Sequence, residues 1–131
     1  MSKLLIAEDN GFTRDLLSRR LQRAGYEMIP ASNGKEAVLA ARQNLPDLII
    51  LDLEMPVMNG QATIRALKND PHTFRIPIIV LSAEADPDVV VEAMSAGCYA
   101  YETKPVPVRR LIERIEQALH PEARGAAAPA G

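Results

Sequence analysis

Three continuous apolar runs constrain the fold of this chain more than any other feature of its sequence. The runs lie at Lys3–Ala7, Leu48–Leu51 and Ile76–Leu81, and their apolar residues do not alternate with polar ones. Such runs are typical of strands buried on both faces, as the strands of a parallel sheet are. Weaker strand signals lie at Tyr26–Ala31 and Cys98–Glu102. The sequence therefore predicts five strands.

Patterns of helical spacing lie between and after these predicted strands. The second pattern follows the turn signal Asn33-Gly34, the third covers Gly60–Lys68, and the fourth ends at Gly97. Glycine directly after a helical pattern is a natural C-terminal cap. The apolar residues of the first pattern, which ends at Gly25, are Phe12, Leu16, Leu17, Leu21 and Ala24. Those of the last pattern, which follows Pro107, are Val108, Leu111, Ile112, Ile115 and Leu119.

Five strands that alternate with five helices predict an α/β fold: right-handed crossovers and a parallel sheet covered on both faces. With 131 residues the chain favours an open, doubly wound sheet, because a closed barrel needs about 200 residues or more. Hydrophobic residues are 47% of the chain, which excludes intrinsic disorder for most of it. We predict one domain at 1–119. Residues 120–131 are rich in Ala, Pro and Gly and are predicted to be a flexible tail or the start of a linker.

Charge and cysteine content exclude several classes of function. The chain has 15 basic and 17 acidic residues and a net charge of -2, so it offers no basic stripe for nucleic acid. Its single cysteine, Cys98, cannot form an intrachain disulfide and is expected to be a small core residue. The first apolar run is too short for a signal peptide or a membrane span. We therefore expect a cytoplasmic protein that binds neither nucleic acid nor membrane.

Polar side chains follow four of the predicted strands. Glu8 and Asp9 follow the first strand, Asp52 the third, Ser82 the fourth and Lys104 the fifth. Doubly wound sheets bind ligands beyond the carboxyl ends of their strands, so these side chains are expected at one edge of the sheet. Taken singly, a carboxylate after a strand is more often a helix cap or a turn residue. Only the combination of groups indicates a functional site.

Together these groups are the parts needed for phosphoryl transfer to an aspartate. Three carboxylates within a few ångströms would repel one another, so one would take up a proton or a cation would enter. Magnesium suits such a site, because it prefers oxygen ligands and commonly shares a phosphate. Lys104 supplies a fixed positive charge beside Asp52, and Ser82 can donate a hydrogen bond to a phosphoryl oxygen.

From about Lys3 to Leu119 the sequence resembles the receiver domain of bacterial two-component response regulators. Asp52 precedes Ser82 by thirty positions and Lys104 by fifty-two, which is the usual spacing of that family. The four matching motifs, in order, are Glu8-Asp9, Asp52 with Met55-Pro56 and Gly60, Ser82-Ala83, and Lys104-Pro105. The resemblance implies a flavodoxin-like (βα)5 fold with strand order 2-1-3-4-5, as in a chemotaxis member of the family.

The resemblance also implies the roles of the acidic residues. Asp52 is the expected phospho-acceptor. Asp9, Asp52 and the backbone carbonyl of Glu54 are the expected ligands of magnesium, for which manganese is a substitute. Glu8 stands where many members have Asp, and we expect it to reach the metal through water.

The remaining matched residues belong to the expected phosphate loop and switch. Ser82 keeps the hydroxyl of the equally common Thr, and Ala83 follows it. Lys104-Pro105 resembles the family's cis peptide, which would direct the ammonium group at the site. Tyr101, three positions before Lys104, falls at the family's aromatic switch position.

By this resemblance the chain is a signalling domain that catalyses only its own phosphorylation and dephosphorylation, and is not otherwise an enzyme. Its phosphoryl donor is expected to be a histidine kinase or a phosphotransfer protein. Its output is expected to be a downstream protein or output domain, contacted through the fourth helix, fifth strand and fifth helix. The predicted mixed-charge face of the last helix comprises Arg109, Arg110, Glu113, Arg114 and Glu116.

Alternatives remain both outside and within signalling. A phosphohydrolase of the haloacid dehalogenase type also uses an aspartate, magnesium, a Ser or Thr and a Lys, but its nucleophile follows the first strand and its acidic pair comes last. A flavodoxin-like electron carrier shares the fold, but the loop after the first strand lacks a phosphate cradle rich in Ser, Thr and Gly. Within signalling, the chain is a stand-alone regulator or the receiver of a longer protein, and its Ala/Pro/Gly-rich tail fits either.

Overall fold

The computed structural model describes residues 1–121, and the rest of the predicted tail, 122–131, lies outside the described residues. Five parallel strands form one sheet in the order β2-β1-β3-β4-β5, which confirms the predicted doubly wound, flavodoxin-like fold. The strands are β1 (Lys3–Ala7), β2 (Glu27–Ala31), β3 (Leu48–Asp52), β4 (Ile78–Ser82) and β5 (Ala100–Thr103). The helices are α1 (Gly11–Arg23), α2 (Gly34–Asn44), α3 (Gly60–Lys68), α4 (Pro87–Ala96) and α5 (Val108–Leu119).

Two hydrophobic clusters cover the two faces of the sheet. Successive side chains of a strand point to opposite faces, and in β3 Ile49 and Leu51 belong to one cluster while Leu48 and Ile50 belong to the other. The first cluster includes residues of α2, α3 and α4, and the second includes residues of α1 and α5. All residues of β3 and β4 are buried. Among residues 1–121, none of the helices combines the length and the hydropathy that crossing a bilayer requires.

Strands β2, β4 and β5 begin later than the sequence predicts, because the amides before them are used in turns and helix ends. The amides of Tyr26, Ile76 and Cys98 donate to the carbonyls of Leu21, Thr73 and Ala93 at 3.2, 3.0 and 3.3 Å. These three residues therefore do not pair with a neighbouring strand. Cys98 is buried, as predicted for a small core residue.

The apolar stripe of α1 is only partly buried. Leu21 is fully buried, whereas Phe12 is 78% exposed and Leu16 is 45% exposed. Leu16 lines an open groove between α1 and the chain from Lys104 to α5. Helical spacing alone therefore does not determine which residues of this stripe are buried.

A buried carboxylate ties β5 to α5. Glu102 accepts hydrogen bonds from Nε of Arg110 at 2.5 Å and from Nε of Arg114 at 2.9 Å. The predicted mixed-charge face of α5 is therefore partly engaged within the chain, since Glu116 also accepts a hydrogen bond from the Tyr26 hydroxyl. Burial alone would raise the pKa of Glu102, but the hydrogen bonds and charges of the two arginines outweigh it and hold that pKa below its usual value.

This pKa shift predicts a pH-dependent stability. Because the folded-state pKa is lowered, the contribution of Glu102 is present above its unfolded value of about 4.3 and is lost as the pH falls through the folded value. Glu102→Gln should lower the free energy of unfolding by about 2 kcal/mol at pH 7, and its difference from wild type should shrink in acid. Urea unfolding between pH 7 and pH 3 measures this, with exposed Glu113→Gln as control. A difference that stays constant with pH would contradict the role of the ion pair.

Candidate functional site

The carboxyl ends of β3 and β4 fix two of the predicted site residues. Both strands extend one residue beyond their predicted ends, so Asp52 and Ser82 are the last strand residues and not the first loop residues. Asp52 pairs with Leu81, and Ser82 pairs with Thr103. Asp52 is 7% exposed and Ser82 is fully buried. The sheet itself therefore sets the distance between the carboxylate and the hydroxyl.

Three carboxylates meet at this edge of the sheet. Glu8, Asp9 and Asp52 each offer an oxygen atom, and these atoms lie within 4.8 Å of one another. Glu8 and Asp52 are buried, whereas Asp9 is exposed. We call this group the acidic pocket. Carboxylates this close repel one another unless positive charge lies between them.

Lys104 supplies one positive charge to the acidic pocket. Its Nζ lies 3.0 Å from Oε1 of Glu8 and 3.4 Å from Oδ2 of Asp52. Burial alone would lower the pKa of Lys104, but the hydrogen bond to Glu8 and the negative charges of Asp52 and Glu8 raise it above its usual value. The backbone amide of Lys104 donates to the Ser82 carbonyl at 2.8 Å, and the Lys104–Pro105 peptide is cis.

The hydrogen bonds of the acidic pocket indicate which carboxylate is open to a ligand. The second oxygen of Glu8 accepts from the Asn10 amide at 3.2 Å, and the second oxygen of Asp52 accepts from the Glu54 amide at 3.0 Å. Within the part of the chain that the structure describes, no group donates a hydrogen bond to the Asp9 carboxylate. Three carboxylates face one ammonium group, and each carboxylate offers oxygen atoms that can bind a metal ion. This donor set fits a magnesium ion.

The Ser82 hydroxyl is engaged by the two loops that flank it. It donates to Oε1 of Glu54 at 3.2 Å and accepts from the backbone amide of Glu84 at 3.0 Å. Ala83 is exposed between these contacts. The family resemblance implies a role for the backbone carbonyl of Glu54 but not for its side chain.

Tyr101 connects β5 to the loop after β4. Its side chain is partly buried against the first hydrophobic cluster, and its hydroxyl donates to the Glu84 carbonyl at 2.5 Å. The amide of the same Glu84 donates to Ser82. Tyr101 therefore contacts the loop that also binds the Ser82 hydroxyl.

Residues 4–116 match the family described as the response regulator receiver domain. This chain belongs to that family. Over 116 residues the receiver is 36% identical to the polar-differentiation response regulator DivK of Brucella anthropi, an alignment that covers 88% of this chain and 94% of DivK. The prediction of a receiver is thereby confirmed, and the phosphohydrolase alternative gains no support.

Solved structures show the same relationship. The chemotaxis response regulator CheY4 of Vibrio cholerae superposes with a TM-score of 0.85 at 32% identity, covering 91% of this receiver and 99% of CheY4. The receiver domain of a sensor histidine kinase from Pseudomonas aeruginosa superposes with a TM-score of 0.84 at 26% identity. The superposition covers 90% of this receiver and 97% of that domain. The latter structure has a magnesium ion coordinated in its active site cleft.

Two contacts of the receiver site are made by residues that lie outside its sequence motifs. Arg14 of α1 donates to the Glu8 carbonyl at 2.7 Å, which joins the first helix to the end of β1. Asn10 caps α1 by accepting from the Thr13 amide at 2.9 Å. An Asn directly before a helical pattern is a recognisable N-cap signal, whereas the contact of Arg14 depends on the path of the loop.

Proposed function

We propose that the Asp52 carboxylate accepts a phosphoryl group from the phosphohistidine of a histidine kinase or phosphotransfer protein, or from a small donor such as acetyl phosphate. The observation that carries this proposal is the buried Asp52 carboxylate, with Lys104 at 3.4 Å and the other acidic residues beside it. In the transfer from phosphohistidine, an Asp52 oxygen bonds to phosphorus as the P–N bond breaks. The electron pair of that bond returns to the imidazole nitrogen.

The surrounding groups stabilise the charge of the transferred phosphoryl group. Lys104 offsets negative charge directly beside Asp52, and a hydroxyl at position 82 can donate to a phosphoryl oxygen. Asp9, Asp52 and the Glu54 carbonyl would hold magnesium or its substitute manganese, with Glu8 acting through water. When bound, the metal would supply further positive charge for the phosphoryl oxygens.

The first test is phosphorylation of the wild-type protein. After incubation with acetyl phosphate and magnesium, intact mass spectrometry should show the gain of one phosphoryl group. Addition of a chelator before the donor should strongly slow the gain, since the metal would offset phosphoryl charge. A protein that gains no phosphoryl group from acetyl phosphate or from a phosphorylated phosphotransfer protein would contradict the proposal.

Magnesium binding should depend more on Asp9 than on Glu8. Both oxygens of Glu8 accept hydrogen bonds, from Lys104 and Asn10, whereas no group within residues 1–121 donates to the Asp9 carboxylate. We expect a dissociation constant of about 1 mM, which corresponds to a binding free energy of roughly 4 kcal/mol in magnitude. In an NMR titration with magnesium, Asp9→Ala should abolish binding and Glu8→Ala should only weaken it. Exposed Asp15→Ala is the control. A larger loss in Glu8→Ala would reverse the assignment of direct and water-mediated ligands.

We further propose that phosphorylation is read out by a downstream protein or output domain on the surface formed by α4, β5 and α5. The contacts that support this link are those of Glu84, whose amide binds Ser82 and whose carbonyl accepts from Tyr101. If Ser82 turns to a phosphoryl oxygen, this loop loses a contact and Tyr101 is free to change its position. Phosphorylation would thus shift a two-state equilibrium.

The phosphoryl mimic beryllofluoride tests this readout. Added with magnesium, it should change amide NMR shifts both around Asp52 and along 86–116. The Asp52→Asn variant, treated in the same way, is the control for nonspecific binding. Shift changes confined to the loops around Asp52 would contradict a switch through β5.

A further inference from the structure

The Glu54 side chain contacts the hydroxyl on which the proposed phosphoryl site depends. Its Oε1 accepts from the Ser82 hydroxyl at 3.2 Å. We propose that the Glu54 carboxylate competes with the phosphoryl group for this hydroxyl and thereby slows phosphorylation of Asp52. This inference rests on the proposed function of Asp52.

The hydrogen-bonding capacity of Ser82 makes the competition unavoidable. A serine hydroxyl has a single proton to donate. Ser82 is fully buried. Its hydroxyl donates its one hydrogen bond to Glu54 and accepts a hydrogen bond from the Glu84 amide at 3.0 Å. Its donor is therefore occupied before any phosphoryl group arrives. To donate to a phosphoryl oxygen, the hydroxyl must first release Glu54.

The backbone and the side chain of Glu54 act on different parts of the site. Its amide donates to Oδ1 of Asp52 at 3.0 Å, which orients the proposed acceptor. Its side chain, which belongs to an exposed residue, reaches across to Ser82. Replacing the side chain therefore leaves the backbone contact with Asp52, and the proposed carbonyl ligand, in place.

The negative charge of Glu54 disfavours phosphorylation of Asp52, as its hydrogen bond to Ser82 does. A phosphoryl group adds a charge of about -1.5 to -2. Lys104 forms ion pairs with Glu8 and Asp52, and within residues 1–121 no Lys or Arg forms an ion pair with Glu54. No Lys or Arg of the described residues therefore offsets the Glu54 carboxylate directly, close to where an anionic donor must approach. That carboxylate disfavours the phosphorylated state both as a rival acceptor and as a like charge.

Initial rates of phosphorylation by acetyl phosphate and magnesium, followed by intact mass spectrometry, test this role. Glu54→Ala should react about fivefold faster than wild type, the effect of losing one ordinary hydrogen bond. Glu54→Gln should lie between the two, because its amide oxygen still accepts from Ser82 without the charge. The control is Asp15→Asn, which removes a carboxylate at an exposed position of α1 and should leave the rate at the wild-type value.

A double-mutant comparison separates the hydrogen bond from simple repulsion. In a Ser82→Ala background the hydroxyl is absent, so Glu54→Ala should lose most of its accelerating effect. A binding readout follows the same logic: Glu54→Ala should bind beryllofluoride about fivefold more tightly than wild type.

The outcomes distinguish this role from the proposed function. If wild type is phosphorylated on Asp52 but Glu54→Ala is no faster, the competitor role is overturned and the function of Asp52 stands. An acceleration that persists in full in the Ser82→Ala background would also overturn it, since repulsion alone would explain the effect. If wild type gains no phosphoryl group at Asp52, the proposed function and the competitor role fall together.

Discussion

Asp52→Asn protein is expected to gain no phosphoryl group from acetyl phosphate and magnesium under conditions in which wild type gains one. The substitution replaces a carboxylate nucleophile by an amide, whose oxygen is a poor nucleophile. It also removes one carboxylate from the acidic pocket and the partner of Lys104 at 3.4 Å. Intact mass spectrometry of the two proteins after equal incubation measures the difference, which should be complete.

The fold of this variant should survive, so the loss is one of chemistry. The amide oxygen can still accept from the Glu54 amide, which binds Asp52 at 3.0 Å in wild type. Removing one of three close negative charges should leave the free energy of unfolding unchanged or raise it. Asp15→Asn, at an exposed position of α1, should be phosphorylated like wild type. A phosphoryl adduct that persists in Asp52→Asn would place the acceptor elsewhere.

The second large effect is expected at Gly60, where α3 begins close behind Asp52. A Cβ atom there would lie 2.5 Å from Cα of Leu53 and 2.7 Å from its carbonyl oxygen. The Gly60 amide also donates to that carbonyl at 2.9 Å, so the backbone cannot move away without losing the bond. Gly60→Ala should therefore lower the free energy of unfolding by about 3 kcal/mol.

Urea unfolding measures this prediction against a matched glycine. At Gly11, the first residue of α1, the nearest atom to an added Cβ is the side-chain Nη2 of Arg14 at 3.5 Å, an ordinary contact. Gly11→Ala should therefore change stability by no more than about 0.5 kcal/mol. If Gly60→Ala were as stable as Gly11→Ala, the close approach of α3 to Leu53 would be wrong.

Much of the fold could be predicted because its central strands are buried on both faces. The apolar runs that become β3 and β4 have no polar residue that would suit an exposed face, so their pattern indicates a parallel sheet. The strand order could not be worked out from periodicity and came from the family resemblance. The strand starts differ from the prediction where amides such as that of Cys98 close a helix end, because apolar character does not show which carbonyl an amide binds.

The composition of the site could be predicted for a topological reason, but its internal contacts could not. Parallel strands place their carboxyl ends at one edge, so Asp52, Ser82 and Lys104 had to lie near one another. The bond from Ser82 to Glu54 depends on a loop path and a side-chain rotamer that no spacing rule fixes. On α5, Arg114 turns towards buried Glu102 because an unpaired buried carboxylate is costly. The spacing of charged residues along a predicted helix does not reveal an ion-pair partner on another element.

The location of the phosphoryl group in wild-type receiver is the most direct test of Asp52 as the acceptor. Protein phosphorylated by acetyl phosphate with magnesium is reduced with borohydride, which converts an aspartyl phosphate to homoserine, and its peptides are sequenced by mass spectrometry. We expect Asp52 to be the modified residue, with Glu8, Asp9 and Glu54 unchanged. A modification at any other residue, or a phosphorylated protein with unmodified Asp52, would contradict the proposed function.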